Sequence, residues 1–240
     1  MKLSKNDDIK LNIDSLTSEG SGIGRYDGFA VFVRGVVPGD EITAHIIKCS
    51  KNYAIAIVKD IIKPSKYRIE SDCPVSDKCG GCSFRNVSYD EELKYKRMRV
   101  NDALERIGKL DIEVEEIIGA DCTQNYRNKA QYPVSICDGE LFAGFYAYKS
   151  HRIICCDDCK LQPIEFKAGL DAFRIWAEKA NITSYDENTG KGLLRHIYFR
   201  KGFATGDIMA CAVINSGKLP QSELLVSLLK EKVAGLKSVV

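Results

Sequence analysis

Apolar and polar residues alternate through the first part of the chain, and a period of two is what a strand with one buried face requires. Ile9, Leu11 and Ile13 fall on one face of such a strand. A second strand is predicted over Phe29-Ala30-Val31-Phe32-Val33, and two more near Glu41 to Ile47 and Tyr53 to Ile62. Gly20-Ser21-Gly22-Ile23-Gly24 reads as a flexible turn. Val37-Pro38-Gly39-Asp40 is strong turn chemistry, Pro presetting its dihedral and Gly tolerating positive φ. Short strands separated by turn signals predict an OB-like β-barrel over residues 1–62. Lys63-Pro64-Ser65-Lys66-Tyr67-Arg68 then reads as a linker, its proline breaking the ladder of the preceding strand.

The period changes downstream. Ser88 followed by Glu91 has the spacing of a capping box, and Gly108 is placed to stop the helix they open. Leu93, Val100, Ala103, Leu104 and Ile107 form its apolar face, while Lys94, Arg97 and Arg99 sit opposite as a solvated face. Period two returns with strands predicted from Ala130 to Ile136, Leu141 to Tyr148 and His151 to Ile154, the first two joined by an Asp138-Gly139 hairpin turn. A helix from Pro163 to Ala180 carries Phe166, Leu170, Phe173 and Ala177 on one side. Strands from Leu193 to Arg200 and Asp207 to Ile214 follow, then a helix from Ser222 to Val233. Residues 63–240 are therefore expected to form a mixed α+β domain, giving an α+β chain overall. The last residues, Gly235-Leu236-Lys237-Ser238-Val239-Val240, read as a turn and the start of a strand with no partner after it, hence as a truncation at 240.

Composition adds limits. Of 240 residues, 45% are hydrophobic and 28% charged, the range of an ordinary globular protein. Lys plus Arg number 35 against 33 Asp plus Glu, so a nucleic-acid footprint has to come from local clustering, not net charge. No apolar run is long enough to span a bilayer, and Met1-Lys2-Leu3-Ser4-Lys5-Asn6-Asp7-Asp8 lacks the apolar stretch of a signal peptide. The expectation is a cytoplasmic monomer with no membrane partner.

Ten cysteines carry more information. In a reducing compartment, clustered cysteines read as metal or redox sites. Isolated ones, here Cys49, Cys122, Cys137 and Cys211, read as small buried hydrophobes. The strongest local signal is Cys73-Pro74-Val75-Ser76-Asp77-Lys78-Cys79-Gly80-Gly81-Cys82. Its three thiols can converge on one ion or cluster, and soft thiolates select zinc or iron–sulfur. Either normally takes four protein ligands, so a fourth must come from Cys155, Cys156 or Cys159, which spacing alone does not separate. One triplet awaiting a distant single partner favours a cluster over the paired thiols of a zinc module.

Two resemblances sharpen this reading. The run Arg34-Gly35-Val36-Val37-Pro38-Gly39-Asp40, after a Gly-x-Gly turn and the Phe-Ala-Val-Phe-Val strand, resembles a TRAM domain, an RNA-binding barrel attached to tRNA- and rRNA-modifying enzymes. The order Cys-x5-Cys-Gly-Gly-Cys, Tyr126-Arg127-Asn128-Lys129, Ser150-His151-Arg152-Ile153-Ile154-x4-Cys159 and Leu194-Arg195-His196 resembles the RNA uridine-5-methyltransferases that carry a [4Fe–4S] cluster. That resemblance implies Cys159, before Lys160-Leu161-Gln162, as fourth metal ligand beside Cys73, Cys79 and Cys82, with Cys155 and Cys156 as bystanders. Phe84-Arg85-Asn86 departs from the pattern, since relatives commonly have a Gln soon after the third Cys. The family uses S-adenosylmethionine: a cysteine thiolate adds at C6 of uracil, C5 takes the methyl, and a carboxylate removes the C5 proton. Bases reached this way leave their stack, so single-stranded or looped RNA is implied.

No glycine-rich strand–turn–helix and no Asp-Pro-Pro nucleophile context occurs in the chain, and Cys211 lies inside the apolar run Met209-Ala210-Cys211-Ala212-Val213. The expectation is an amino-terminal part of a methyltransferase, its Rossmann-type catalytic domain and S-adenosylmethionine site absent, with helix 88–108 a candidate member of that missing domain. Such a part would bind RNA, ribosomal by the pairing of TRAM with the cysteine motif, but would not catalyse alone. Implied RNA contacts are Arg127, Asn128, Lys129, His151, Arg152, Arg195 and His196. The alternative is a stand-alone RNA-binding module with a structural metal site. A radical S-adenosylmethionine enzyme fits poorly, because its motif needs Cys-x3-Cys-x2-Cys.

Overall fold

The computed structural model describes residues 3–215 and 217–240, so Met1, Lys2 and Ser216 lie outside the described residues. The chain divides into two compact units, Met1–Asp77 with Cys82–Gly119, and Lys78–Gly81 with Ala120–Val240.

The first unit is built on six strands: β1 (Asp8–Asn12), β2 (Ser15–Leu16), β3 (Gly22–Tyr26), β4 (Phe29–Val33), β5 (Glu41–Cys49) and β6 (Tyr53–Lys63). They pair in the order β1-β5-β6-β4-β3-β2, with β4 and β6 parallel. Alternate residues point inward, so Ile9, Leu11, Val31, Val33, Ile42, Ala44, Ile46, Ala54 and Ala56 make one core. Strand β3 occupies much of the segment expected as a flexible turn, because its glycines carry no side chains to display a period of two.

The segment expected as a linker is a clasp. Asp40 is fully buried. Its Oδ2 accepts from the backbone N–H of Val37 at 2.6 Å, and its Oδ1 from that of Ser65 at 2.8 Å. Arg68 donates to both oxygens, at 3.1 and 2.5 Å, and to the carbonyl of Gly35 at 3.0 Å. Ser65 closes the loop by donating its hydroxyl to the carbonyl of Pro38 at 2.7 Å. Burial alone would push the Asp40 carboxyl up. The bond from Arg68, then those from Ser65 and Val37, reverse this and hold it below the usual carboxylate value.

Helix α1 (Tyr89–Arg106) starts after Ser88, but the Ser88 side chain makes no capping bond. The expected capping box is therefore not formed; the Glu91 carboxylate instead pairs with Lys94 at 2.9 Å. Val100 and Ile107 are exposed, so the expected apolar face is not buried along its length. Residues 109–119 run back beside the helix. Arg97 donates to the carbonyl of Val114 at 2.7 Å, and the Val114 N–H donates to Asn101 at 2.8 Å.

The second unit has strands β7 (Lys129–Cys137), β8 (Glu140–Tyr146) and β9 (Ile153–Cys155), helix α2 (Glu165–Lys179), strands β10 (Leu194–Lys201) and β11 (Ile208–Ile214), helix α3 (Ser222–Lys232) and strand β12 (Leu236–Val239). Its sheet order is β12-β11-β10-β7-β8-β9. β11 and β12 are parallel, which is why a helix connects them. The terminal segment expected to lack a partner is thus paired. Its Val240 N–H donates to Ala210 and its carbonyl accepts from Ala212, each at 2.9 Å.

One face of this sheet is covered by α2, whose Phe166, Leu170, Phe173, Trp176 and Ala177 recur at helical spacing and are buried. Phe199 stacks on Phe166 at 5.1 Å and meets Phe173 edge-on at 5.9 Å. Tyr132, Val134, Ala143 and Ile197 complete the core. The intervening residues Pro133, Ser135 and Tyr146 belong to the opposite face. Three cysteines expected as buried hydrophobes, Cys49, Cys122 and Cys137, are exposed instead, and Cys211 is half-buried. The first three lie at strand ends or in a loop, where no core closes over them. Among the described residues no helix is long and apolar enough to cross a membrane.

Candidate nucleic-acid interface

The open face of the second sheet carries a cleft of about 290 Å³. A β-bulge makes it. Leu194 and Ile197 both point into the core although three residues apart, because the pairing of β10 with β11 shifts register between Leu194 and His196. The extra residue leaves both Arg195 and His196 lining the cleft. Tyr146, at the end of β8, and His151, on the loop that follows, form a second wall, their rings stacked at 5.1 Å.

The third wall is the loop 184–192. Asp186 organises it, accepting from the N–H of Asn188 at 2.8 Å and the hydroxyl of Thr189 at 3.1 Å. Those bonds hold its carboxyl below the usual value. The loop presents Glu187, whose Oε2 accepts from His151 Nδ1 at 2.6 Å. It also presents Tyr185, whose ring lies 4.3 Å under the Arg195 guanidinium. Burial, then the charge of Arg195, pushes the His196 imidazole below its ordinary value, so it is neutral at neutral pH.

Strand β9 is held close to β8 by Gly144. A Cβ there would meet the carbonyl oxygen of Ile154 at 1.9 Å. Beyond β9, the segment 125–127 pairs with 160–162: the N–H of Asn125 donates to Lys160 at 2.8 Å and that of Arg127 to Leu161 at 3.0 Å. This sets the Arg127 charge beside Cys159. The Cys159 thiol is brought down to about 6, first by its hydrogen bond with Cys156, with the Leu161 and Gln162 N–H groups and Arg127 contributing against burial.

The implied RNA residues fall into separate places. His151, Arg195 and His196 share the cleft, and Arg152 is exposed outside its lining. Lys129 opens β7 with its ammonium 5.7 Å from the centre of the Tyr198 ring. Asn128 lies by Arg200, Lys201 and exposed Phe203 in a shallower depression. Sequence reading missed Tyr185, Asp186, Glu187 and Asn188. Asp186-Glu187-Asn188-Thr189-Gly190 announces a turn, but nothing local says that it folds over the bulge.

The implied metal ligands are divided. Cys73 and Cys82 belong to the first unit, Cys79 and Cys159 to the second. Cys79 bridges to Ala147 as an added strand position, and the Gly80 N–H donates to Tyr146 at 2.9 Å. A Cβ on Gly80 would stand 2.9 Å from that carbonyl oxygen and 3.0 Å from the Tyr148 nitrogen, which accounts for glycine after Cys79. Among the described residues, no three His, Cys, Asp or Glu side chains gather in a group able to hold a metal ion.

Comparisons with known proteins now bear on this geometry. Residues 6–59 match the TRAM domain family. An uncharacterized RNA methyltransferase of Clostridium tetani is 41% identical over 98% of this chain and 51% of its own length. One from Caldanaerobacter subterraneus subsp. tengcongensis is 41% identical over 96% of this chain and 51% of its own. Among solved structures, the tRNA (uracil-54, C5)-methyltransferase of Pyrococcus abyssi, in complex with S-adenosyl-L-homocysteine, matches with a TM-score of 0.67 and 21% identity. That match covers 90% of this chain and 48% of the other. The chain spans about half the length of the curated relatives it matches.

These matches correct three expectations. A fold lacking its methyltransferase domain, a chain serving as a non-catalytic fragment, and an enzyme assignment confined to a longer parent are all overturned. RNA methyltransferases align over 98% of the chain, and 90% of its backbone superposes on 48% of the Pyrococcus abyssi enzyme. The chain carries a TRAM domain at its amino-terminal end and has RNA methyltransferases as homologues.

Proposed function

We propose that this chain works as an S-adenosylmethionine-dependent RNA methyltransferase acting on C5 of a uridine. The observation that carries this is the alignment with RNA methyltransferases over 98% of the chain. The fold shared with an enzyme acting at uracil C5 supports the position methylated. S-adenosylmethionine would supply the methyl group; no residue here is assigned to hold it or to act as nucleophile. Cys211 is a poor candidate, since burial pushes its thiol up.

The chain's own part is to hold RNA, through the TRAM barrel and through Arg127, Asn128, Lys129, His151, Arg152, Arg195 and His196. A single-stranded or looped segment suits an open cleft with stacked rings better than a duplex does. We assign the RNA to the large ribosomal subunit on the pairing of TRAM with the cysteine motif, and place the protein in the cytoplasm as a monomer. Incubating the full chain with methyl-labelled S-adenosylmethionine and transcripts of ribosomal and transfer RNA should place label in 5-methyluridine. Label in another nucleoside, or none in either RNA, overturns the proposal.

Cys73, Cys79, Cys82 and Cys159 are proposed as ligands of a [4Fe–4S] cluster on their order in the sequence alone, and no step of the reaction is routed through it. Anaerobic purification should give about four irons and four sulfides per chain, lost together in Cys159→Ser. Zinc without sulfide would sink the cluster.

A further inference from the structure

The cleft on the open face of the second sheet is an odd place for an RNA phosphate. Asp186 and Glu187 both line it, against a single guanidinium, that of Arg195. Two carboxylates repel a phosphodiester, whereas they accept hydrogen bonds from the N–H groups of a base edge. Its size, about 290 Å³, lies at the lower end of ligand cavities and suits one small planar group. Stacking surfaces are already built: Tyr146 on His151, with the His151 ring exposed, and Arg195 on Tyr185. Such rings continue naturally into a stacked base.

We propose, resting on the RNA-binding reading above, that this cleft receives one unstacked guanine of single-stranded RNA, stacked against His151 and read by Glu187 and Arg195. Guanine presents adjacent N1–H and N2–H donors, which a carboxylate can accept together. Its O6 and N7 acceptors suit a guanidinium fork. Uracil and cytosine lack that combination of two neighbouring donors with two acceptors, and adenine lacks the carbonyl. Glu187 bonds His151 through Oε2, and an ionised carboxylate retains further acceptor positions. Asp186 is committed to Asn188 and Thr189, so it shapes the loop and leaves the reading to Glu187.

The test uses the full chain and fluorescently labelled RNA dodecamers of uridine carrying one central guanosine, inosine or uridine. Inosine differs from guanosine by loss of the N2 amino group alone. The guanosine oligomer should bind about tenfold more tightly than the other two. Glu187→Gln should abolish that preference, and His151→Ala should weaken the guanosine oligomer most. Glu140→Gln, a surface carboxylate change in the β7–β8 hairpin, should keep the preference, and thermal melts verify that each variant is folded. Equal binding of all three oligomers, or a guanosine preference that survives Glu187→Gln, overturns the guanine cleft and leaves RNA binding standing. Failure to bind any oligomer overturns both readings.

Discussion

Asp40→Ala should remove about 3–5 kcal/mol from the stability of the first unit, the usual loss when one partner of a buried ion pair is deleted. The substitution leaves the Arg68 guanidinium without its carboxylate, and the N–H groups of Val37 and Ser65 without their acceptor. Asp40→Asn keeps one acceptor oxygen and should fall between. Urea unfolding followed by far-ultraviolet circular dichroism measures both. A loss under 1 kcal/mol in Asp40→Ala would show that the clasp does not hold the barrel. The same residue fixes an acid dependence. Its folded carboxyl lies below its unfolded value, so its contribution is present above the unfolded pKa, about 4, and is lost as pH falls through the folded one. The barrel of the natural sequence should lose stability below about pH 4, and Asp40→Asn should lack that part of the slope.

Trp176→Ala should be as damaging to the second unit, at about 3–5 kcal/mol. The indole is fully buried, meets Phe173 edge-on at 6.0 Å, and donates its N–H to the carbonyl of Pro220 at 2.9 Å. Removing it opens a cavity between α2 and the segment leading into α3 and strands that carbonyl. Trp176→Phe refills most of the space and should recover more than half of the loss. The chain has one tryptophan, so circular dichroism, not intrinsic tryptophan fluorescence, must follow these variants. Equal melting of Trp176→Ala and the parent would mean that the core repacks around the hole.

Elements whose apolar residues keep a strict period were readable without coordinates. Strand β1 is marked by Ile9 and Leu11, and α2 by Phe166, Leu170, Phe173 and Ala177, because apolar side chains recur there at the period of the element. Where the period is carried by glycines it disappears, as in β3. Where polar atoms replace apolar ones as the glue it misleads: Lys63 to Arg68 looked like a connection because a hydrogen-bonded clasp has no hydrophobic signature. The cleft was half legible. His151, Arg195 and His196 stood out by resemblance, but the bulge that turns two successive β10 residues to one side is a property of pairing with β11. Glu187 was invisible for a related reason, since its importance comes from a loop folding over a strand that begins several residues later.

The assignment of Lys78–Gly81 to the second unit, between stretches that belong to the first, bears on how such a protein can be taken apart. A piece beginning at Ala120 would lack the Gly80 amide that the Tyr146 carbonyl accepts. A piece ending at Gly119 would carry Cys79 and Gly80 without the strand end they pair with. No single scission therefore yields both modules intact, and recombination at one junction would leave an unmet backbone group on either side.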